Sequence, residues 1–268
     1  MNAPERLMLA DIQSQPDHRD IRINGVGVKG VRYPLTVVSS GAVSSTIAVL
    51  SMTVSLPAVV KGTHMSRFIE MLEARTEALS QAGFVAMAFD MLARLEAPSG
   101  TIEMRFPYFL RKTAPVSGVQ SLLDFEVVWR ARVSDDGTST FWMQVIVPAT
   151  SLCPCSKEIS LYGAHNQRSH ISIEAALAGE MAIEELIAVA ESNASCEVYG
   201  LLKRSDEKYV TERAYDNPKF VEDLVRDVAM ALNREPQVTA YIVEAENFES
   251  IHNHSAFARI VSPGVAVG

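Results

Sequence analysis

The chain has 268 residues, of which 48% are hydrophobic and 21% are charged, and its formal net charge is −8. This composition is typical of globular proteins and excludes general disorder. The negative charge provides no overall attraction for nucleic acid or an anionic membrane, and no uncharged apolar run approaches the roughly 20 residues that span a bilayer. Three cysteines, two of them one residue apart, favour a reducing compartment. We therefore expect a cytoplasmic protein that binds neither nucleic acid nor membrane.

The first half predicts two strands, two helices and two strands, after an irregular arm over residues 1–24. Apolar residues at helical spacing from Met65 to Leu79 indicate the first helix, Gly83 interrupts the pattern, and a second helix continues to Leu95. The predicted strands are 29–38, 45–56, 101–111 and 124–130, and Asp135-Asp136-Gly137 predicts the turn that follows them.

The second half repeats this order of elements without clear residue identity to the first. Its predicted strands are 140–147, 170–177, 237–244 and 255–261, and its predicted helices are 181–191 and 218–232. Asn217 followed by Pro218 is a typical helix start. We therefore predict an α+β protein of two similar units, 25–137 and 138–268, each an antiparallel sheet with helices packed on one face.

Cys153-Pro-Cys155, followed by His165 and His170, is the strongest local cluster of chemically active side chains. Thiolate and imidazole are preferred ligands of zinc and similar divalent metals, and a catalytic site needs three protein ligands with one open position. The spacing also fits a buried structural cysteine beside a loop histidine. A third ligand has to come from elsewhere in the chain.

Two carboxylates have both structural and functional interpretations. Glu207 lies in the polar stretch KRSDEKYVTE, predicted as a loop, where a solvated charge is the ordinary interpretation. Glu222 lies in the first turns of a predicted helix, where the helix dipole favours a carboxylate. A carboxylate can alternatively accept two N–H bonds from a guanine-like edge.

Two further segments carry histidines or cations. Glu249, His252 and His254 lie in the predicted turn between the last two strands, where histidines act as acid and base near neutral pH or are ordinary surface residues. Lys61 and Arg67 flank a strand–helix junction, which either binds phosphate or is an ordinary junction with extended cationic side chains.

Several long strings are shared with one known group of enzymes. They are KGVRYPL, KGTHMSRF, SLCPCSKEIS with YGAHNQRSHI, DNPKFVEDLVRD and NFESIHNHSA. Together they resemble the GTP cyclohydrolase I of type B, a prokaryotic family, over about Gly25 to Ser262. The motif positions show no departure from that family.

The resemblance implies tandem tunnelling-fold (T-fold) units, in which antiparallel sheets from several subunits close a barrel. It implies a homotetramer with active sites at subunit interfaces, and conversion of GTP and water into 7,8-dihydroneopterin triphosphate and formate, the first step of folate and pterin biosynthesis. The implied cofactor is a divalent metal: zinc, manganese or iron.

The resemblance also assigns roles residue by residue. The implied metal ligands are Cys153, His165 and Glu207. Glu222 matches the residue that binds guanine, and Glu249, His252 and His254 match positions near the substrate. Apart from the resemblance, the basic residues Lys61, Arg67 and Lys157 are candidates for binding the triphosphate. Ring opening and reclosure need proton transfers, for which His252 and His254 are suited. Cys153 acts as a ligand or additionally as a proton donor or nucleophile.

Two alternatives remain open from the sequence. One is another tunnelling-fold enzyme, such as a nitrile reductase with a nucleophilic cysteine and a nicotinamide cofactor. The other is a non-catalytic metal-binding or scaffold protein with the same fold.

Overall fold

The computed structural model describes residue 13 and residues 15–265 of the chain. Within these residues nine strands form one antiparallel sheet, and six helices accompany it. The strands are β1 (Ile23–Ser39), β2 (Ala42–Leu56), β3 (Gly100–Thr113), β4 (Gln120–Val133), β5 (Ser139–Leu152), β6 (Asn166–Leu177), β7 (Cys196–Glu197), β8 (Val238–Phe248) and β9 (Ser255–Val261). The helices are α1 (Ser66–Glu73), α2 (Gln81–Leu95), α3 (Pro154–Ile159), α4 (Ile183–Asn193), α5 (Arg204–Asp216) and α6 (Val221–Leu232). Most of the predicted arm, residues 1–12 and 14, lies outside the described residues.

The sheet is continuous from one end of the described chain to the other. Its strand order is β1-β2-β3-β4-β5-β6-β8-β9, and the short β7 pairs with β5. β4 and β5 pair from Glu126 with Ile146 to Val133 with Ser139, on either side of the predicted boundary at residue 137. The two halves therefore share one sheet, and their division into two units stays a prediction. Among the described residues, every helix is too short or too polar to cross a bilayer.

One face of the sheet carries the core and the helices. Along β4, Val127, Trp129 and Ala131 are buried, whereas Arg132, which points to the other face, is exposed. The Trp129 ring meets the ring of Phe84 from α2 edge to face at 5.7 Å between centroids. The predicted arrangement, an antiparallel sheet with helices on one face, is therefore confirmed.

Two details of the first half differ from the sequence prediction. Leu79 is not helical: its N–H donates to Thr36 O (2.8 Å) and its carbonyl accepts from Val38 N (2.9 Å), so this segment extends along β1. Gly83 does not interrupt a helix. It lies in the first turn of α2, where its N–H donates to the Ser80 hydroxyl at 3.1 Å.

The second half contains α3, β7 and α5, which the sequence patterns did not predict. Glu207 lies in the first turn of α5, so the loop prediction for this residue was wrong. The predicted helix start at Asn217 and Pro218 was also wrong, because α6 begins at Val221 with Phe220 at its N-cap. The Asn217 amide instead donates to the carbonyl of Ala194 at 2.8 Å.

Candidate active site

Four strands start or stop at the same end of the sheet, and we call this end, which is distinct from the edge strands β1 and β9, the site edge. It is formed by the end of β5 at Leu152, the start of β6 at Asn166, the end of β8 at Phe248 and the start of β9 at Ser255. Leu152 pairs with Asn166, and Phe248 pairs with Ser255. Because these strands are antiparallel, the segments that follow β5 and β8 leave the sheet side by side.

Cys153 and His165 are brought together at this edge. The backbone N–H of Cys153 donates to the carbonyl of His165 at 3.2 Å. The hydroxyl of Ser156 accepts from the backbone N–H of His165 at 3.2 Å and donates to the carbonyl of Cys153 at 3.1 Å. Cys153 is also the N-cap of α3, and its sulfur accepts from the Ser156 N–H at 3.5 Å. Thiol and imidazole, both half-buried, are therefore held by a closed backbone loop.

The turn between β8 and β9 contacts the same loop. The His165 Nδ1 atom lies 3.1 Å from the hydroxyl of Ser250. In this turn the exposed rings of His252 and His254 stack in parallel, with 5.1 Å between centroids and 6° between planes. A thiol, an imidazole and two further histidines are thus gathered from segments about 90 residues apart in sequence. Glu249 lies in the same turn and is half-buried.

A buried polar cluster lies beneath the site edge. The hydroxyls of Ser151 and Ser169 are 2.6 Å apart, and the Ser169 hydroxyl donates to the side-chain oxygen of Asn247 at 2.6 Å. All three side chains are buried, and they belong to β5, β6 and β8. Ser151 and Asn247 precede segments of the site and Ser169 follows one, so the cluster ties together the strands that carry the site. In the sequence, these three residues can be recognised as polar residues at strand positions that face the core.

Glu222 is placed near the same strand end by a backbone contact. The N–H of Lys219, just before α6, donates to the carbonyl of Leu152 at 3.1 Å. Glu222 follows in the first turn of α6 and is exposed. The start of α6 therefore lies beside the residue that precedes Cys153.

Lys157 is already engaged within this chain. Its ammonium group donates to the carbonyl of Tyr215 and lies 4.3 Å from the centroid of the Tyr215 ring. These contacts join α3 to the end of α5. They also reduce the availability of Lys157 for a triphosphate.

Glu207 does not join Cys153 and His165 in a three-ligand metal site within one chain. It lies at the start of α5, eight residues before Tyr215, which corresponds to about 12 Å along the helix axis. In the region the structure describes, no three side chains of His, Cys, Asp or Glu come close enough to hold a metal ion. One chain therefore supplies two neighbouring metal donors, and the predicted three-ligand set is not assembled within it.

The start of α5 is fixed by Asp206, a buried residue that sequence reasoning missed. Its carboxylate accepts from the backbone N–H groups of Val116 and Ser117, each at 2.8 Å, from the Ser117 hydroxyl at 2.6 Å, and from Lys203 N at 2.8 Å. Burial alone raises the pKa of Asp206, but the hydrogen bonds from Ser117, Lys203 and Val116 outweigh it and hold the pKa well below its usual range.

Replacing Asp206 with alanine is expected to destabilise the protein most strongly at neutral pH. Because the folded-state pKa is depressed, the stabilisation is complete above the unfolded pKa of about 4 and is lost progressively as the pH falls below it. Urea unfolding at pH 7 and at pH 3 measures this difference. Replacement of the exposed Asp216 serves as the control, and an equal loss at both pH values would contradict the assignment.

Lys61 and Arg67 lie at the opposite end of the strands from the site edge. They follow the end of β2 at Leu56, and this end also holds the start of β5 at Ser139. β5 runs from there to the site edge, a separation of roughly 40 Å. Arg67 donates to the carbonyl of Arg94 at 2.7 Å, and Lys61 Nζ lies 3.3 Å from the Gln15 side-chain oxygen. The structure therefore does not bring them to Cys153 within one chain.

Cys155 and Cys196 differ in their surroundings. Cys155 is exposed in the first turn of α3, two residues after Cys153. Cys196 is buried in β7, where burial raises the pKa of its thiol to about 11. Cys196 therefore stays a neutral thiol near pH 7 and is a poor metal ligand.

Comparison with known proteins gives matches over almost the whole chain. Residues 9–258 match the family model described as type I GTP cyclohydrolase folE2. GTP cyclohydrolase FolE2 1 of Dechloromonas aromatica (strain RCB) is 59% identical over 261 residues, covering 97% of this chain and 98% of the relative. GTP cyclohydrolase FolE2 of Janthinobacterium sp. (strain Marseille) is 60% identical over 257 residues, covering 96% of both.

A solved structure shares the architecture at low sequence identity. The uricase of Arthrobacter globiformis is 8% identical, covers 91% of this chain and 96% of its own, and aligns with a TM-score of 0.51. This likeness concerns the fold alone. Together with the helix layer on one sheet face, it confirms the predicted α+β tunnelling-fold class.

Proposed function

Because the chain belongs to the type I GTP cyclohydrolase FolE2 family and is a GTP cyclohydrolase of folate biosynthesis, we propose that it converts GTP and water into 7,8-dihydroneopterin triphosphate and formate. The observation that carries this proposal is the pairing of Cys153 with His165 beside the turn that holds His252 and His254. This arrangement places metal donors and proton-transfer groups at the site edge.

The proposed metal is divalent: zinc, manganese or iron. Cys153 and His165 would supply two ligands, and their donor types fit such a metal. When bound, a metal of this kind lowers the pKa of a coordinated water, which suits hydrolytic opening of the guanine imidazole ring. We propose Glu207 as the third ligand, supplied from a neighbouring subunit, because the three side chains do not come together as a metal site within one chain.

The chain's own residues have distinct proposed roles. Glu222 accepts two N–H bonds from guanine, a contact that needs a carboxylate. His252 and His254, exposed and stacked, transfer protons during ring opening and reclosure, and Glu249 lies beside them near the substrate. Cys153 is a metal ligand and a candidate for proton transfer.

The proposed assembly is a homotetramer with active sites at subunit interfaces. The described sheet ends in two edge strands, β1 and β9, whose free edges can pair with strands of another copy. Lys61 and Arg67 would then reach only the site of a neighbouring subunit, because they lie at the opposite end of the strands from the site edge of their own chain. We also propose a cytoplasmic location, which suits free cysteines.

Incubation of the purified protein with GTP and each candidate metal tests the reaction. We expect formate and a fluorescent pterin to form in equal amounts, and this activity to disappear after treatment with a chelator and return with metal. Release of inorganic phosphate without formate would contradict the proposal. Consumption of a nicotinamide cofactor with a pterin nitrile would instead support the nitrile reductase alternative.

A further inference from the structure

We propose that a cavity beside β1 binds a small carboxylate with an apolar body. The cavity has a volume of about 350 Å³ and lies between β1 and the connection from α1 to α2. This volume falls within the range of small-molecule sites. The proposal does not rest on the reaction assigned above, and the cavity shares no residue with the candidate active site.

The walls of the cavity are largely apolar and fixed in place. Leu72 of α1, Leu79 of the α1–α2 connection and Met87 of α2 are buried and line the cavity on one side. Tyr33 and Leu35 of β1 line it on the other. The two backbone hydrogen bonds of Leu79 with β1 hold the α1–α2 connection against the sheet. The cavity is therefore formed in advance, so a ligand need not order its walls.

Arg75 lines the cavity with a half-buried, positively charged side chain. Its side-chain Nε atom is buried and has no hydrogen-bond partner among the described residues. Burial lowers the pKa of its guanidinium, and the Asp90 carboxylate acts in the opposite direction. Both oxygens of Asp90, however, already accept from Arg94 Nε at 3.0 Å. The described residues leave the terminal nitrogens of this guanidinium for a ligand in the cavity, and a carboxylate is the acceptor that matches a guanidinium best.

The charge around the cavity favours a ligand with a single negative group. The exposed carboxylate of Glu77 lines the same cavity and opposes a second negative charge. A nucleoside triphosphate is therefore a poor occupant, whereas a monocarboxylate attached to an aromatic or aliphatic body satisfies both Arg75 and the apolar walls.

Titration with 2-naphthoate, with the neutral 2-naphthamide as the matched ligand, tests this site by isothermal titration calorimetry. We expect saturable binding of one naphthoate per chain, with affinity at least ten-fold weaker for naphthamide. Arg75→Gln should weaken naphthoate binding at least ten-fold, Arg75→Lys should weaken it less, and Glu77→Gln should strengthen it. Arg226→Gln, which changes an exposed arginine on α6, is the control and should change nothing.

Each other outcome overturns the proposal. Equal binding of naphthoate and naphthamide, or equal binding to the wild type and Arg75→Gln, would mean that Arg75 does not recognise the anion. The absence of saturable binding up to about 1 mM would show that the cavity does not take this ligand class. A changed assembly mass of Arg75→Gln, measured by light scattering without any ligand binding, would assign the cavity to a subunit contact. Thermal unfolding of Arg75→Lys and Arg75→Gln verifies that both variants are folded.

Discussion

Replacement of His165 by alanine is expected to reduce turnover of GTP by at least about 10³-fold, to lower the metal content, and to leave the fold intact. The backbone atoms of His165, not its ring, hold the loop closed through Cys153 and Ser156. An alanine at this position keeps those bonds. The substitution therefore removes the imidazole as a metal donor without opening the loop.

Steady-state kinetics, metal analysis of protein purified without chelators, and circular dichroism measure the three parts of this prediction. The control is His18→Ala, which removes an exposed histidine outside the candidate site. Ser250→Ala is a graded companion because it removes only the hydroxyl that contacts His165 Nδ1, and we expect a loss of about 10-fold to 100-fold. Full activity of His165→Ala with unchanged metal stoichiometry would falsify the ligand assignment.

Replacement of Glu222 by glutamine is expected to weaken GTP binding by about 10-fold to 100-fold with little change in metal content. Glutamine keeps the size of the side chain but offers one acceptor oxygen and no charge, so it cannot accept two N–H bonds as a carboxylate does. The helix-dipole contribution of a first-turn carboxylate is smaller, about 0.3–1 kcal/mol, and affects stability only.

Equilibrium binding of GTP to the two proteins separates recognition from turnover. Glu212→Gln, which alters an exposed carboxylate on α5, is the matched control and should bind GTP like the wild type. The guanine-binding role fails if Glu222→Gln retains normal GTP affinity. A parallel loss of metal would instead place Glu222 in the metal site.

Prediction from the sequence worked best where side-chain periodicity and burial coincide. β9 was predicted with its observed bounds, Ser255–Val261, and the turn at Asp135 to Gly137 is observed, with Gly137 at a φ of 81°. In these elements the residues that determine the conformation are neighbours in sequence. Local patterns were therefore sufficient.

The failures share one cause, which is a contact between distant segments. α5 buries only Asp206 and Ala214, so it has little helical apolar periodicity, and its start is held by the β3–β4 turn about 90 residues earlier. Asn217 was predicted as a helix cap, but its amide bonds the carbonyl of Ala194 instead. Leu79 left the helical pattern because β1 offered it backbone partners.

The sequence alone determined the fold class, the alternation of the strands and the segments that carry the chemistry, because these depend on local spacing and on long motifs. Only the tertiary structure decided that Cys153, His165 and the β8–β9 turn meet, since that requires the pairing of β5 with β6 and of β6 with β8. It also decided that Glu207 does not join Cys153 and His165 in a metal site within one chain, and that Lys61 lies at the opposite end of the strands. Strand length, rather than sequence spacing, determines the distance of Lys61 from the site. Both findings support the proposal that another subunit completes the site.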